Sequence, residues 1–321
     1  MKKILAIATI LFCSVVQAKP SFDEYVQSLK AEAIEKGFSQ ELIDMAFENV
    51  QFHQRSVKAD KNQPEFKLTL DRYLSTRLPD WKVKQAIQKY QDNKVLLEQI
   101  ADKYGVQARF IVALWGNESN FGKIMGNFPV ISALTTMAYE GRREDMFKKQ
   151  LFAALQILQE GHIEKDQFVG SWAGAMGQSQ FMPTSFLSYA QDGDGDGKKN
   201  IWQNKADVFA SIANYLKLEG WDNSQTWGRQ VQIPSGFDLQ LAGLETDKMK
   251  PLHEWQKLGV RRYDGSDLPT RNIPASLIVP DDENGRIYLV YNNFHTLMHW
   301  NRSTYFGSAV GILADQIKAG L

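Results

Sequence analysis

The sequence predicts a mainly helical α+β fold in which helical segments flank one small β-containing unit. Three observations carry that expectation. Apolar residues recur at helical spacing along most of the chain, one segment is apolar on every side, and β-rich runs are confined to a stretch after Trp227. The 321 residues are 43% apolar, 12% aromatic and 23% charged, a globular composition that excludes a disordered or collagen-like protein. That length suggests two or three structural units. Lys plus Arg (37) balances Asp plus Glu (37), so the basic excess typical of a nucleic-acid binder is missing and no nucleic-acid partner is expected.

In chain order, Met1-Lys2-Lys3 precedes the apolar run from Ile4 to Val16, and Val16-Gln17-Ala18 offers a small residue for cleavage. Residues 1–18 read as a secretory signal peptide, its apolar run being too short to favour a membrane span. Cys13, the only cysteine, falls inside it, and Phe12 is a poor neighbour for lipid attachment. Soluble export is therefore expected over a lipoprotein, and the mature chain has no disulfide. Residues 19–75 form an N-terminal helical unit, with Phe22, Tyr25, Leu29 and Ala33 at helical spacing. Pro79-Asp80 opens one longer helix, because Val83, Ile87, Tyr90, Leu97, Ala101 and Tyr104 share a face with only Lys94 out of pattern. Gly105 ends it.

A buried helix follows from about Gln107 to Asn117, apolar all round from Phe110 to Trp115, with Gly122 as its stop. Residues 144–160 and 205–219 give further amphipathic helices. Between about 228 and 292, Ser276–Val279 and Ile287–Tyr291 flank Glu283-Asn284-Gly285, a hairpin signal. Tyr305 to Ile317 returns to helical spacing. The expected organisation is 1–18 signal peptide, 19–75 helical unit, 76–227 core, 228–292 β unit and 293–321 a helix returning to the core.

Four features carry chemistry. Glu118 stands at the end of the buried helix, where desolvation and the negative end of the helix dipole both raise a carboxyl pKa and suit it to donate a proton. A salt-bridged helix-end glutamate is the plain alternative. Ser171–Ser185 alternates small with large apolar residues and supplies Ser171, Gln178 and Gln180 as neutral hydrogen-bond groups, which suits a groove for an uncharged polymer such as sugar; a tight structural turn is the alternative. Asp192, Asp194 and Asp196 with Gly197 match the first half of an EF-hand calcium loop, with the Lys198 carbonyl at the seventh position. Gln203 stands where a bidentate glutamate is wanted, and Asp207 is the residue placed to reach back from the next helix. A solvated Asp-Gly turn is the alternative. Finally, Tyr73, Trp172, Phe181, Tyr215, Trp300, Tyr305 and Phe306 are candidate rings for a sugar cleft, each alternatively a core residue.

The segments Gly116–Gly122 and Gly174–Pro183, then the Asp-Gly loop and Ile201-Trp202, resemble the B-type lytic murein transglycosylases, the family 103 glycoside hydrolases. The order and spacing agree over most of the mature chain. The resemblance implies a lysozyme-like catalytic core and cleavage of the β-1,4 bond between N-acetylmuramic acid and N-acetylglucosamine, closing a 1,6-anhydro ring. It puts Glu118 at the single catalytic acid/base, Ser171 and Gln180 at substrate-site positions, and Tyr73 and Asn301 at further ones. Trp300 departs from the tyrosine that the family often carries there. It also implies glycan strands of periplasmic peptidoglycan as partner; a structural calcium, no organic cofactor, contact with the wall-synthesis machinery and a monomer are further expectations. Glu140, Glu144 and Asp145, beside Arg142 and Arg143, read as salt-bridged surface residues. A hydrolytic lysozyme-like enzyme and a non-catalytic murein-binding protein remain the alternative readings.

Overall fold

The computed structural model describes residues 19–61 and 68–321, so the expected signal peptide lies outside the described residues. Four short helices come first: α1 (Phe22–Glu35), α2 (Gln40–Phe47), α3 (Gln54–Lys61) and α4 (Leu70–Arg77). Ser21 and Glu24 cap the N-terminus of α1 reciprocally, each side chain taking the other's backbone N–H. Thr69 and Ser39 cap α4 and α2 in the same sense through one bond each.

The longer helix expected from Asp80 is in fact two, α5 (Asp80–Asp92) and α6 (Lys94–Tyr104). The chain breaks at Asn93, where φ is −120° and the side-chain amide donates to the Lys89 carbonyl at 2.8 Å. That bond competes with the helical ladder, the ordinary reason asparagine disfavours helix interiors. The apolar stripe survives across the break, which is why periodicity alone reads it as continuous.

α7 (Ala108–Ser119) is buried along nearly its whole length and packs against α5, α6, α11 (Lys205–Leu218) and α14 (Thr304–Gly320). Between α7 and α11 run β1 (Phe128–Pro129), α8 (Val130–Glu140), α9 (Glu144–Gln159), β2 (Val169–Gly170) and α10 (Pro183–Tyr189). β1 and β2 pair antiparallel, with Phe128 opposite Gly170. The charged run before α9 does not pair internally. Arg142 and Arg143 reach the buried Asp60 at 2.6 and 2.5 Å, Glu140 pairs with Lys61, and Glu144 accepts from the Tyr25 hydroxyl.

After α11 come β3 (Gly228–Gln232), β4 (Lys250–Pro251), α12 (Leu252–Lys257), β5 (Arg261–Arg262), β6 (Pro274–Ile278) and β7 (Ile287–Val290). They form an antiparallel sheet in the order β4-β6-β7-β3-β5, with Ser276 and Gly228 both opposite Val290. The period of two divides its residues between two cores. Ile278, Tyr288 and Val290 join the large helical core, whereas Leu277, Ile287 and Leu289 pack with Trp255 and Leu252 in a smaller one. α13 (Asn292–Trp300) and α14 then return to the helices. The α+β, mainly helical class expected from sequence is the class observed.

The loop between β6 and β7 reaches back to the start of α4. Asp281 accepts the Leu70 N–H at 2.8 Å and the Tyr305 hydroxyl, and Arg286 pairs with Asp71 at 2.5 Å. These bonds fix the start of α4, the helix that carries Tyr73 and Arg77. At the other side of the helical body, a Cβ added at Gly311 would sit 2.2 Å from the Trp227 ring, which is held by its indole bond to Asp315 at 2.8 Å. Gly311→Ala should therefore destabilise the fold by about 1–3 kcal/mol, despite alanine's better helix propensity, because overpacking outweighs it. Urea denaturation of the two proteins checks this.

Candidate active site

Glu118 lies on the last turn of α7, and the chain turns sharply after it. Asn120 and Phe121 both adopt left-handed backbone, with φ of 49° and 59°, and Gly122 follows at 82°. Two consecutive non-glycine residues there are strained. The strain is held by packing. The Phe121 ring meets Trp115 edge-on at 5.4 Å and lies so close to Gly116 that an added Cβ would sit 2.6 Å away. Gly122 likewise admits the Gln178 side chain, whose amide oxygen would be 2.4 Å from a Cβ there. Gly116 and Gly122 are thus close-approach positions.

Gln178 joins α7 to the loops beside it. Its amide oxygen accepts the Trp115 indole N–H at 2.7 Å, and its amide nitrogen donates to the Trp202 carbonyl at 2.8 Å. Its backbone N–H donates to Ile201 and its carbonyl accepts from the Ser119 hydroxyl at 2.7 Å. Glu118 is half-buried, and its carboxyl accepts the Trp300 indole N–H at 2.6 Å. Desolvation pushes its pKa up to about 7, against the lowering effects of the Trp300 bond and the Arg77 charge. The carboxyl therefore holds its proton at mildly acid pH and ionises near neutrality, the range a general acid needs.

Trp300 is placed by other rings: Tyr215 at 4.6 Å and Phe181 at 5.3 Å. Tyr215 is buried and packs on Tyr189 at 4.4 Å, so it acts as backing for Trp300. Tyr73 meets Tyr305 edge-on at 5.5 Å, lies under the Arg77 guanidinium at 5.6 Å, and feels the Glu118 charge. The structure thus sets the Trp300 indole on the Glu118 carboxyl, with Tyr73 and Arg77 within electrostatic reach of it.

Ser171 and Gln180 sit on the neighbouring loop, which bridges on itself through Met176 and Phe181. Ser171 Oγ accepts from the Ala173 and Ala175 N–H groups at 3.3 and 3.0 Å, so its own proton is left to donate elsewhere. Gln180, with φ of 50°, donates its amide to the carbonyls of Gly177 and Met125, so its amide oxygen remains to accept. Asn301 caps α13 through its backbone and exposes its side chain. Sequence reasoning missed Arg77, Trp81, Lys82 and Asn120, which line a cavity of about 230 Å³ with Glu118. No other carboxyl lines it among the described residues. An arginine one helical turn after Tyr73 was the available signal for this wall.

The acidic loop lies apart. Ligand oxygens of Asp192, Asp194 and Asp196 fall within 4.8 Å of one another, a hard-cation donor set. The loop's own N–H groups fold it: Gly195 and Gly197 donate to Asp192 at 2.6 and 2.8 Å, and Lys198 donates to Asp196 at 2.8 Å. Asp207 does not join the cluster. It is fully buried, and its two oxygens accept from Gly193 and Asn200 N–H at 2.7 and 2.6 Å, so it staples the loop to α11. Gln203 points to Gln167 instead of closing the ligand set.

The Transglycosylase SLT domain family matches residues 21–315. The membrane-bound lytic murein transglycosylase B of Escherichia coli (strain K12) is 31% identical over 226 residues, covering 67% of this chain and 58% of that protein. Among solved structures, SltB3 from Pseudomonas aeruginosa, in complex with NAG-anhNAM-pentapeptide, superposes with a TM-score of 0.89 at 43% identity, covering 93% of this chain and 80% of that one. Escherichia coli lytic transglycosylase Slt35, in complex with calcium, gives a TM-score of 0.79 at 25% identity, over 92% and 93% of the two chains.

Since the Trp300 bond lowers the Glu118 pKa, its removal should raise it. Trp300→Phe keeps a ring and loses the N–H. The carboxyl should then titrate above about 7, which NMR of a 13C-labelled glutamate side chain measures.

Proposed function

Because the chain belongs to the Transglycosylase SLT domain family, with residues 21–315 matched, we propose that it is a lytic murein transglycosylase. It cleaves the β-1,4 bond between N-acetylmuramic acid and N-acetylglucosamine and leaves a 1,6-anhydromuramoyl end. The observation that carries this reading is Glu118: one carboxyl, desolvated to a pKa of about 7, alone in its cavity among the described residues.

Most glycosidases need two carboxylates flanking the bond. A single one suits a substrate that supplies its own second group. In the proposed sequence, protonated Glu118 gives its proton to the glycosidic oxygen as the C1–O bond breaks. The 2-acetamido carbonyl of the muramoyl ring closes on C1 as an oxazolinium. Glu118, now a carboxylate steadied by the Trp300 N–H, takes the proton of the C6 hydroxyl. O6 forms the new bond to C1, the acetamido carbonyl leaves, and Glu118 is again protonated. No water is consumed.

The Ser171 hydroxyl and the Gln180 amide oxygen have the free donor and acceptor that acetamido and sugar hydroxyls need. Tyr73 and Trp300 flank the carboxyl, Tyr215 supports Trp300, and Asn301 offers an exposed amide beside it. Tyr73, Trp300 and Asn301 would meet the glycan strand, and Tyr215 would act through Trp300. Export would bring the enzyme to periplasmic peptidoglycan. No described helix is long and apolar enough to cross a membrane.

The acidic loop fits calcium on this structure's own terms. Three carboxylates converge, offset only by loop N–H groups and by the Asn204 amide, which donates to Asp194 at 2.7 Å, with no cationic side chain paired to them among the described residues. Asp192, Asp194 and Asp196, with the Lys198 carbonyl, would hold the ion, which would supply structural charge neutralisation. The Asp207 staple would hold the loop ready for it.

Purified murein sacculi should release products one water lighter than those of hydrolysis, read by mass spectrometry, and Glu118→Gln should reduce release at least a hundredfold while retaining sacculus binding. Reducing-end products would make the protein a hydrolase, and sacculi left intact by the wild type would make it a binding protein. Calcium should raise the melting temperature and a chelator should lower it. The Asp194→Asn/Asp196→Asn protein should show neither shift.

A further inference from the structure

The cavity that holds Glu118 is more basic than an uncharged sugar requires. Its wall carries Arg77 from the end of α4 and Lys82 from α5. Lys82 is only 6% exposed, yet its side chain has no hydrogen bond or ion pair among the described residues. Its neighbours on α5 behave as surface lysines do: Lys84 is exposed, and Lys89 pairs with Asp92 at 3.8 Å. Partly desolvating an ammonium without a partner is costly, and the nearby Arg77 charge adds to that cost. Burial and Arg77 together bring the Lys82 pKa down to about 8, which leaves it mainly charged at neutral pH. The one carboxyl in this cavity, Glu118, is bound to Trp300 and must be protonated to act as an acid. It cannot serve as the standing counter-charge.

The cavity therefore presents two cations with no standing counter-charge, which is the complement of a carboxylate.

We propose that Lys82 and Arg77 form a carboxylate subsite beside Glu118 that takes an acidic group carried by the muramoyl residue. This rests on the murein-cleaving reading above. The muramoyl ring bears a lactyl ether whose acid is free on stripped glycan and amide-linked to a peptide on intact strands. The peptide brings free carboxylates of its own, so either source has the required chemistry. Lys82 and Arg77 would then fix the strand's register, so that a muramoyl C1, and not that of N-acetylglucosamine, faces Glu118.

The test is steady-state cleavage by the full chain of three glycans: strands with intact peptides, strands stripped by an amidase, and intact strands whose carboxyls have been converted to methylamides. For the wild type, KM should rise about tenfold on methylamidation, the size of one desolvated charge pair. Lys82→Met should raise KM about tenfold on the carboxylate-bearing glycan with kcat nearly unchanged, and should lose the difference between native and methylamidated strands. Its melting temperature should equal or exceed that of the wild type, since an unpaired, partly desolvated charge has gone. Lys82→Arg should restore KM. An effect confined to intact strands identifies the peptide's carboxylate, and one confined to stripped strands identifies the lactyl group. Equal wild-type KM values on native and methylamidated strands would overturn the subsite without recourse to any variant. Failure of the wild type to cleave any of the three would instead overturn the enzyme reading.

Discussion

The arrangement turns on one buried amide, Gln178. All of its polar groups are matched: the side chain to Trp115 and Trp202, the backbone to Ile201 and Ser119. Three segments far apart in sequence are thereby held to one another, namely α7, the small-residue loop and the turn after the acidic loop. A buried polar group that is fully satisfied specifies geometry, because any shift leaves a donor or acceptor unpaired. Gln178 therefore sets where α7 ends relative to the loop carrying Ser171 and Gln180. The left-handed turn at Asn120 and Phe121 is tolerable because the clamp and the Phe121–Trp115 packing hold both sides of it.

The acidity of Glu118 follows from that placement as a balance. Burial acts to keep the proton on, while an indole N–H and a guanidinium act to take it off. Burial prevails, but only far enough to leave the carboxyl near neutrality and able to work in both directions. The stack of Tyr189, Tyr215, Phe181 and Trp300 matters here because it fixes where the indole N–H points. A change to Tyr215 would thus be felt at Glu118 through Trp300, without contact.

Elements with a strong local pattern were legible in the sequence. The all-round apolar run foretold the buried α7, and the Asn284-Gly285 signal between β-rich runs foretold the pairing of β6 with β7. The break at Asn93 was hidden, because the apolar stripe runs across it and the cause is a single side-chain bond. α8 has buried threonines and a serine within its apolar run, and it carried no clear amphipathic stripe to read. For the site, Glu118 was legible from its position, a carboxyl ending an apolar helix. Its indole partner, 182 positions away in the chain, was visible only as an aromatic among others. Asp207 was read as a metal ligand for its charge, whereas the fold uses both of its oxygens on backbone N–H groups. Lys82 looked like any lysine on a polar helix until its burial was known.

The bond between Asp281 and the start of α4 joins residues 211 positions apart. Closing so long a loop costs entropy that only the finished sheet can offset, so this wall is expected to dock late in folding. α7 and its carboxyl lie well before β6 and β7 in the order of synthesis. A chain still emerging from the ribosome would thus carry the acid with no fixed opposite wall. The order of the sequence would then act as a timer, the acid gaining its opposite wall only after β6 and β7 have been made.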